Sequence, residues 1–161
     1  MISDKLRDFL VEQVGQELTA HQDYMGISVY FQQQSLLRWA RFFRDQAVEE
    51  AQHATRIMDF LVDHEIQFDV PPLSGATSEF DSALAAAQAA LEWERAVTER
   101  FRAASRLALE EGDATSHQFV GWFIAEQVEE EAKMLHVIDL IESGINLFQA
   151  EPLLDALDSD D

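Results

Sequence analysis

The sequence contains no cysteine. Disulfides, thiolate metal sites and cysteine nucleophiles are therefore excluded. Gly and Pro are scarce, six and three in 161 residues, and long stretches hold neither. Strands joined by tight turns need more of both, so the scarcity points to helices. No apolar run approaches the ~18 residues of a membrane span, and the opening "MISDKLRDFL" has no signal-peptide core. A soluble cytoplasmic protein without a membrane partner is expected. Basic residues are few, 11 against 31 acids, giving a net charge of −20. Such a surface repels nucleic acid and anionic membranes and attracts cations.

What is present is a chain that is 47% hydrophobic and long enough for a full core. The breakers fall at "QQQS" near 32–35, at "HEIQFDVPPLSGATSEFD" over 64–81, at "EGDAT" over 111–115 and at "ESGIN" over 142–146. Between them lie four segments of about thirty residues, a length typical of helix bundles. Each carries a stripe with alternating spacings of three and four, the period of a helix that buries one face. The first stripe runs Leu6, Leu10, Gln13, Glu17, Ala20, Tyr24, Ile27, Phe31, and the second Leu36, Ala40, Phe43, Ala47, Glu50, Ala54, Ile57, Leu61. The third runs Leu84, Ala87, Leu91, Glu94, Thr98, Phe101, Ser105, Ala108, and the fourth Ser116, Val120, Phe123, Gln127, Glu130, Met134, Val137, Ile141.

The connections predict the topology. Short links make helices one and two, and three and four, antiparallel neighbours. The middle link of about 16 residues reaches ~50 Å extended, against ~42 Å for a 28-residue helix. It can cross the whole bundle and leave helices two and three parallel. The prediction is an all-α four-helix bundle over 1–144 with a long crossover between helices two and three. Residues 145–161 complete the same domain as a short fifth helix with a frayed acidic tail. Pro152 is expected in the first turn of that helix, and Leu147, Phe148, Leu153, Leu154 and Leu157 on one side of it, buried outside the subunit's own core.

Each stripe is interrupted near its middle by one glutamate: Glu17, Glu50, Glu94 and Glu130. A lone mid-helix Glu usually faces water, and one Glu-x-x-His motif in so acidic a chain is weak. Four interruptions at matching heights are a different matter. They place four carboxylates around one point in the interior, where like charges need a cation. His53 stands three residues after Glu50 and Gln127 three before Glu130, each on the same helix face. Carboxylates with imidazole suit iron, manganese or zinc. Glutamates from two helices with Glu-x-x-His on the other two make the di-iron pattern of bundles. Here one such motif is replaced by Gln127-x-x-Glu130.

With "GQELTAHQDYMGIS", "FFRDQAVEEAQHATRI", "ALEWER" and "GWFIAEQVEEEAKML", the chain resembles the prokaryotic non-haem ferritins over nearly its whole length. The resemblance implies a ferroxidase and iron store. Fe(II) is oxidised by O₂ or peroxide at an intra-bundle di-iron centre, and ferric mineral collects inside a shell of 24 subunits. It implies that Glu17, Glu50 and His53 bind one iron and Glu50, Glu94 and Glu130 the second. Gln127 then helps to hold oxygen or its products, and Glu49, Glu126 and Glu129 with Glu130 form a third iron site. Tyr24 and Trp122 match aromatics that supply an electron. Tyr24 reads equally well as a core ring bonded to a carboxylate, and Glu49 and Glu129 as solvated acids. The haem-ligating Met of bacterioferritins corresponds to Ala51, so no haem is expected. A non-storage di-metal oxidoreductase is the alternative. His21, His64, His117 and His136 receive no role.

Overall fold

The computed structural model describes residues 2–157; the "DSDD" tail lies outside them. Four long helices, α1 (Asp4–Gln33), α2 (Leu37–Asp63), α3 (Ala83–Glu110) and α4 (Ala114–Glu142), are followed by α5 (Leu147–Leu154). Serine or acidic N-caps start three of the long ones: Ser3, Ser82 and Asp113 each accept a backbone N–H from the first turn. Each of the four ends in the same way, with a residue of positive φ two positions past the last helical one. These residues are Ser35, Glu65, Gly112 and Gly144. At the first three, the next N–H reaches back to the last turn: Leu36 to Phe31, Ile66 to Leu61 and Asp113 to Ala108.

The four stripes all face inward. Only Leu84, Ser105 and Ile141 among their positions are half-buried; the others are buried. Pairings along the bundle fix the directions. Phe9 meets Phe101, Gln13 bonds Arg100 and Tyr24 bonds Glu94, so α1 and α3 run antiparallel. Phe60 stacks on Phe119 and Lys133 pairs with Glu49, so α2 and α4 do likewise. With α1 and α2 joined by a short turn, α2 and α3 are parallel, as the long link demands.

That link has no regular structure and runs along α1 in the same direction. Pro71 lies over Gly15, Thr77 over Gly26, and Phe80 meets Tyr30 edge-on. A Cβ on Gly26 would stand 2.1 Å from the Thr77 carbonyl oxygen. This glycine is set by close approach of backbone and not by helix geometry.

The short helix differs from expectation in two ways. It begins at Leu147, capped by Asn146, so Pro152 sits inside it, beyond the first turn. A good cap six residues upstream outweighs the preference of proline for a helix start. The segment also docks on its own subunit. Ala150 and Leu154 are buried in the core cluster that contains Trp39, whose indole N–H donates to the Leu147 carbonyl at 2.9 Å. Arg38 pairs with Asp155 and donates its backbone N–H to Glu151. Phe148 and Leu153 stay exposed, at 57% and 50%.

Candidate metal centre

Midway along the bundle the apolar layers give way to Glu17, Glu50, His53, Glu94, Gln127 and Glu130, all buried. Above this belt lies one aromatic cluster, with Phe31, Trp39 and Phe43; below it lies another, with Phe101 and Phe123. The helix period brings the belt together. Glu50 and His53, one turn apart on α2, present their heads to the same point. Two overlapping groups result. Glu17, Glu50 and His53 place one ligand atom each within 4.8 Å of one another, and so do Glu50, Glu94 and Glu130. Among the described residues these are the only such triads, and Glu50 belongs to both.

Neighbours hold most of the heads. Arg100 donates to the Gln13 side-chain oxygen at 2.7 Å, and Gln13 donates in turn to Glu17 at 2.7 Å. Tyr24 donates its hydroxyl to Glu94, and Gln127 donates to the other Glu94 oxygen at 2.9 Å. Three buried atoms of the belt residues nevertheless lack a hydrogen-bond partner: Glu17 Oε2, His53 Nδ1 and Glu130 Oε2. Unsatisfied buried acceptors are costly. Grouped in one belt, and belonging to the two triads, they fit divalent cations held by oxygen and imidazole donors.

The electrostatics point the same way. Burial pushes Glu17 well above the ordinary carboxylate range, and the Glu50 charge adds to it. Burial and then Glu94 do the same for Glu50. Burial raises Glu94 against the opposing hydrogen bonds from Tyr24 and Gln127. Burial and Glu94 lift Glu130 to about 9, against the pull of Lys133. Without metal Glu130 keeps its proton at neutral pH, and a cation bound there would displace it.

The belt is reached between α2 and α4. There a pocket of about 330 Å³ is lined by His53, Arg56 and Trp122, by Glu49, Glu126, Glu129 and Glu130, and by Lys133. Trp122 meets the His53 ring edge-on at 5.7 Å and carries the Arg56 guanidinium over its face at 3.9 Å. Glu49 and Glu126 are half-buried and Glu129 is exposed. These three are not gathered into a triad. Instead the Lys133 ammonium stands 3.1 Å from Glu49 and 3.5 Å from Glu130. Sequence reasoning missed Lys133 and Arg100; it placed Gln13 on the inward stripe but gave it no role at the belt. The spacing of Lys133, three residues after Glu130 and hence on the same helix face, was the available signal. Three of the remaining histidines bond away from the belt: His64 to the Phe60 carbonyl of its own helix, and His21 and His117 across to neighbouring helices, at the Ala47 carbonyl and Ser105.

Comparison with known proteins agrees with this architecture. A family model described as a ferritin-like domain matches residues 7–143. Ferritin BfrB of Mycobacterium tuberculosis is 36% identical over 148 residues, covering 91% of this chain and 82% of the relative. A bacterial non-heme ferritin of Staphylococcus epidermidis is 35% identical over 141 residues, covering 88% and 85%. Among solved structures, an open pore ferritin from Archaeoglobus fulgidus superposes with a TM-score of 0.92 at 29% identity, over 100% of both chains. A four-helix bundle with a bundle-length crossover, a short fifth helix and a buried carboxylate belt shared among its four long helices thus belongs, together with these relatives, to the ferritin family.

Proposed function

We propose that this ferritin is an iron store with ferroxidase activity, and that the belt is its oxidising centre. The observation that carries the reading is the pair of triads sharing Glu50, in which His53 Nδ1, Glu17 Oε2 and Glu130 Oε2 are buried and without a hydrogen bond. Fe(II) is the substrate. One ion takes Glu17, Glu50 and His53; a second takes Glu50, Glu94 and Glu130. Two Fe(II) each lose one electron, and O₂ with two protons becomes H₂O₂. Where peroxide is the oxidant, H₂O₂ with two protons becomes two waters. The protein supplies fixed positions, a bridging carboxylate and a dry surround. Gln127 and Tyr24 hold Glu94 in place. Ferric product then leaves for a cavity enclosed by 24 copies of the chain, in the cytoplasm. The exposed Phe148 and Leu153 of α5 suit a contact between copies.

The test is aerobic addition of Fe(II) to the parent, Glu50→Ala and His53→Ala proteins, following ferric absorbance, with particle size by native mass spectrometry. Each variant is expected to slow the initial rate by ~10-fold or more while keeping its helical content. Parent-like initial rates in both variants would refute the assignment. A parent particle the size of a dimer would refute storage in a shell.

A further inference from the structure

We propose that the Lys133 ammonium is a built-in cation at the mouth of the centre, so that each subunit takes two divalent ions at the belt and not three. The inference rests on the dinuclear reading above and adds a specificity-determining residue to it. Lys133 projects from α4 one turn beyond Glu130 and crosses to α2. Its Nζ lies 3.1 Å from Glu49 Oε2 and 3.5 Å from Glu130 Oε1. The side chain is only 13% exposed and lines the pocket with both acids. An ammonium is a compact point charge, and here it ties one carboxylate from each of two helices.

A divalent ion bridging Glu49 and Glu130 would have to approach each oxygen to ~2.0–2.2 Å. The ammonium already stands over both oxygens. It would exclude such an ion by volume and repel it by charge. The same contact serves the inner ions. It fixes one oxygen of Glu130, while Glu130 Oε2, buried and without a hydrogen-bond partner, is left for a metal. Glu126 and Glu129 line the same pocket, so without the ammonium the mouth holds four acids and room for a cation.

The experiment uses crystals of the assembled protein soaked with Zn(II), a redox-inert probe, and anomalous diffraction at the zinc edge. In the parent, zinc is expected in the two triads and absent between Glu49 and Glu130. Lys133→Met should add a third zinc between those two acids, and Lys133→Arg, which keeps the charge, should not. A third zinc in the parent, or none in the Lys133→Met protein, overturns the proposal. The mouth is scored separately from the triads. Empty triads in every protein would sink the dinuclear reading, whatever the mouth shows.

Discussion

Replacing Glu130 by Gln in the metal-free protein should flatten the dependence of stability on pH. In the folded chain Glu130 keeps its proton up to about 9, first because it is buried and then because Glu94 lies beside it. In the unfolded chain it ionises near its ordinary 4.5. Between those values the folded state binds more protons than the unfolded one. The contribution of this group is therefore fully present below the unfolded value and is lost as pH rises towards the folded one. A fully shifted group loses ~1.4 kcal/mol per pH unit, so from pH 5.5 to 8.5 the ceiling is ~4 kcal/mol. Water entry and repacking around the belt reduce this to a difference of ~1–2 kcal/mol between variant and parent, a few degrees in the unfolding midpoint. Gln has the shape of the protonated acid, so the two proteins should nearly coincide at the acid end and diverge at the alkaline end, with the variant more stable there. Saturating Zn(II) should reverse the order, because the parent has the better ligand and gains more from binding. Thermal unfolding followed by circular dichroism, with chelator and with zinc, measures both effects. Parallel pH profiles for parent and variant without metal would show that Glu130 titrates as an ordinary surface acid, and the electrostatic argument would fail.

Two further outcomes follow from packing. Gly26→Ala drives a methyl group into the Thr77 carbonyl, and should cost ~1–3 kcal/mol and raise hydrogen exchange in the crossover; Gly121→Ala, which meets nothing within 4 Å, is the matched control and should be neutral or stabilising in thermal unfolding. Changing Phe148 and Leu153 together to Ser should leave helical content unchanged, since both are exposed in the subunit, yet weaken the shell in native mass spectrometry; an equally robust shell would remove α5 from the assembly contact.

The helices and the belt were legible because one physical rule governs both. A buried face repeats with the helix period, and a charged residue on that face stands out against it. Glu17, Glu50, Glu94 and Glu130 are visible for the same reason that Leu10 or Phe43 is. Residues that act on the belt from its edge escape the rule. Lys133 and Arg100 lie off the stripes and reach inward along flexible stems, so their partners depend on which helices are neighbours. The α5 docking was hidden for a related reason. Its anchors are small or unremarkable, Ala150 and Leu154, while the conspicuous Phe148 points away. Trp39 completes the dock from a helix more than a hundred positions earlier.

The bundle-length crossover also orders assembly in time. Glu17, Glu50 and His53 all belong to α1 and α2, a hairpin closed by one short turn. Glu50, Glu94 and Glu130 come together only after α3 and α4 have docked and the strap from 64 to 82 has been laid along α1. Local contacts form early and at small entropic expense; contacts across a long loop come late. One triad is thus a property of a hairpin, and the other a property of the finished subunit. Early in folding a metal would find the imidazole-bearing triad first and brace the hairpin around it. The second triad would read out whether the two halves had closed, so a subunit damaged in its crossover would keep one metal position and lose the pair.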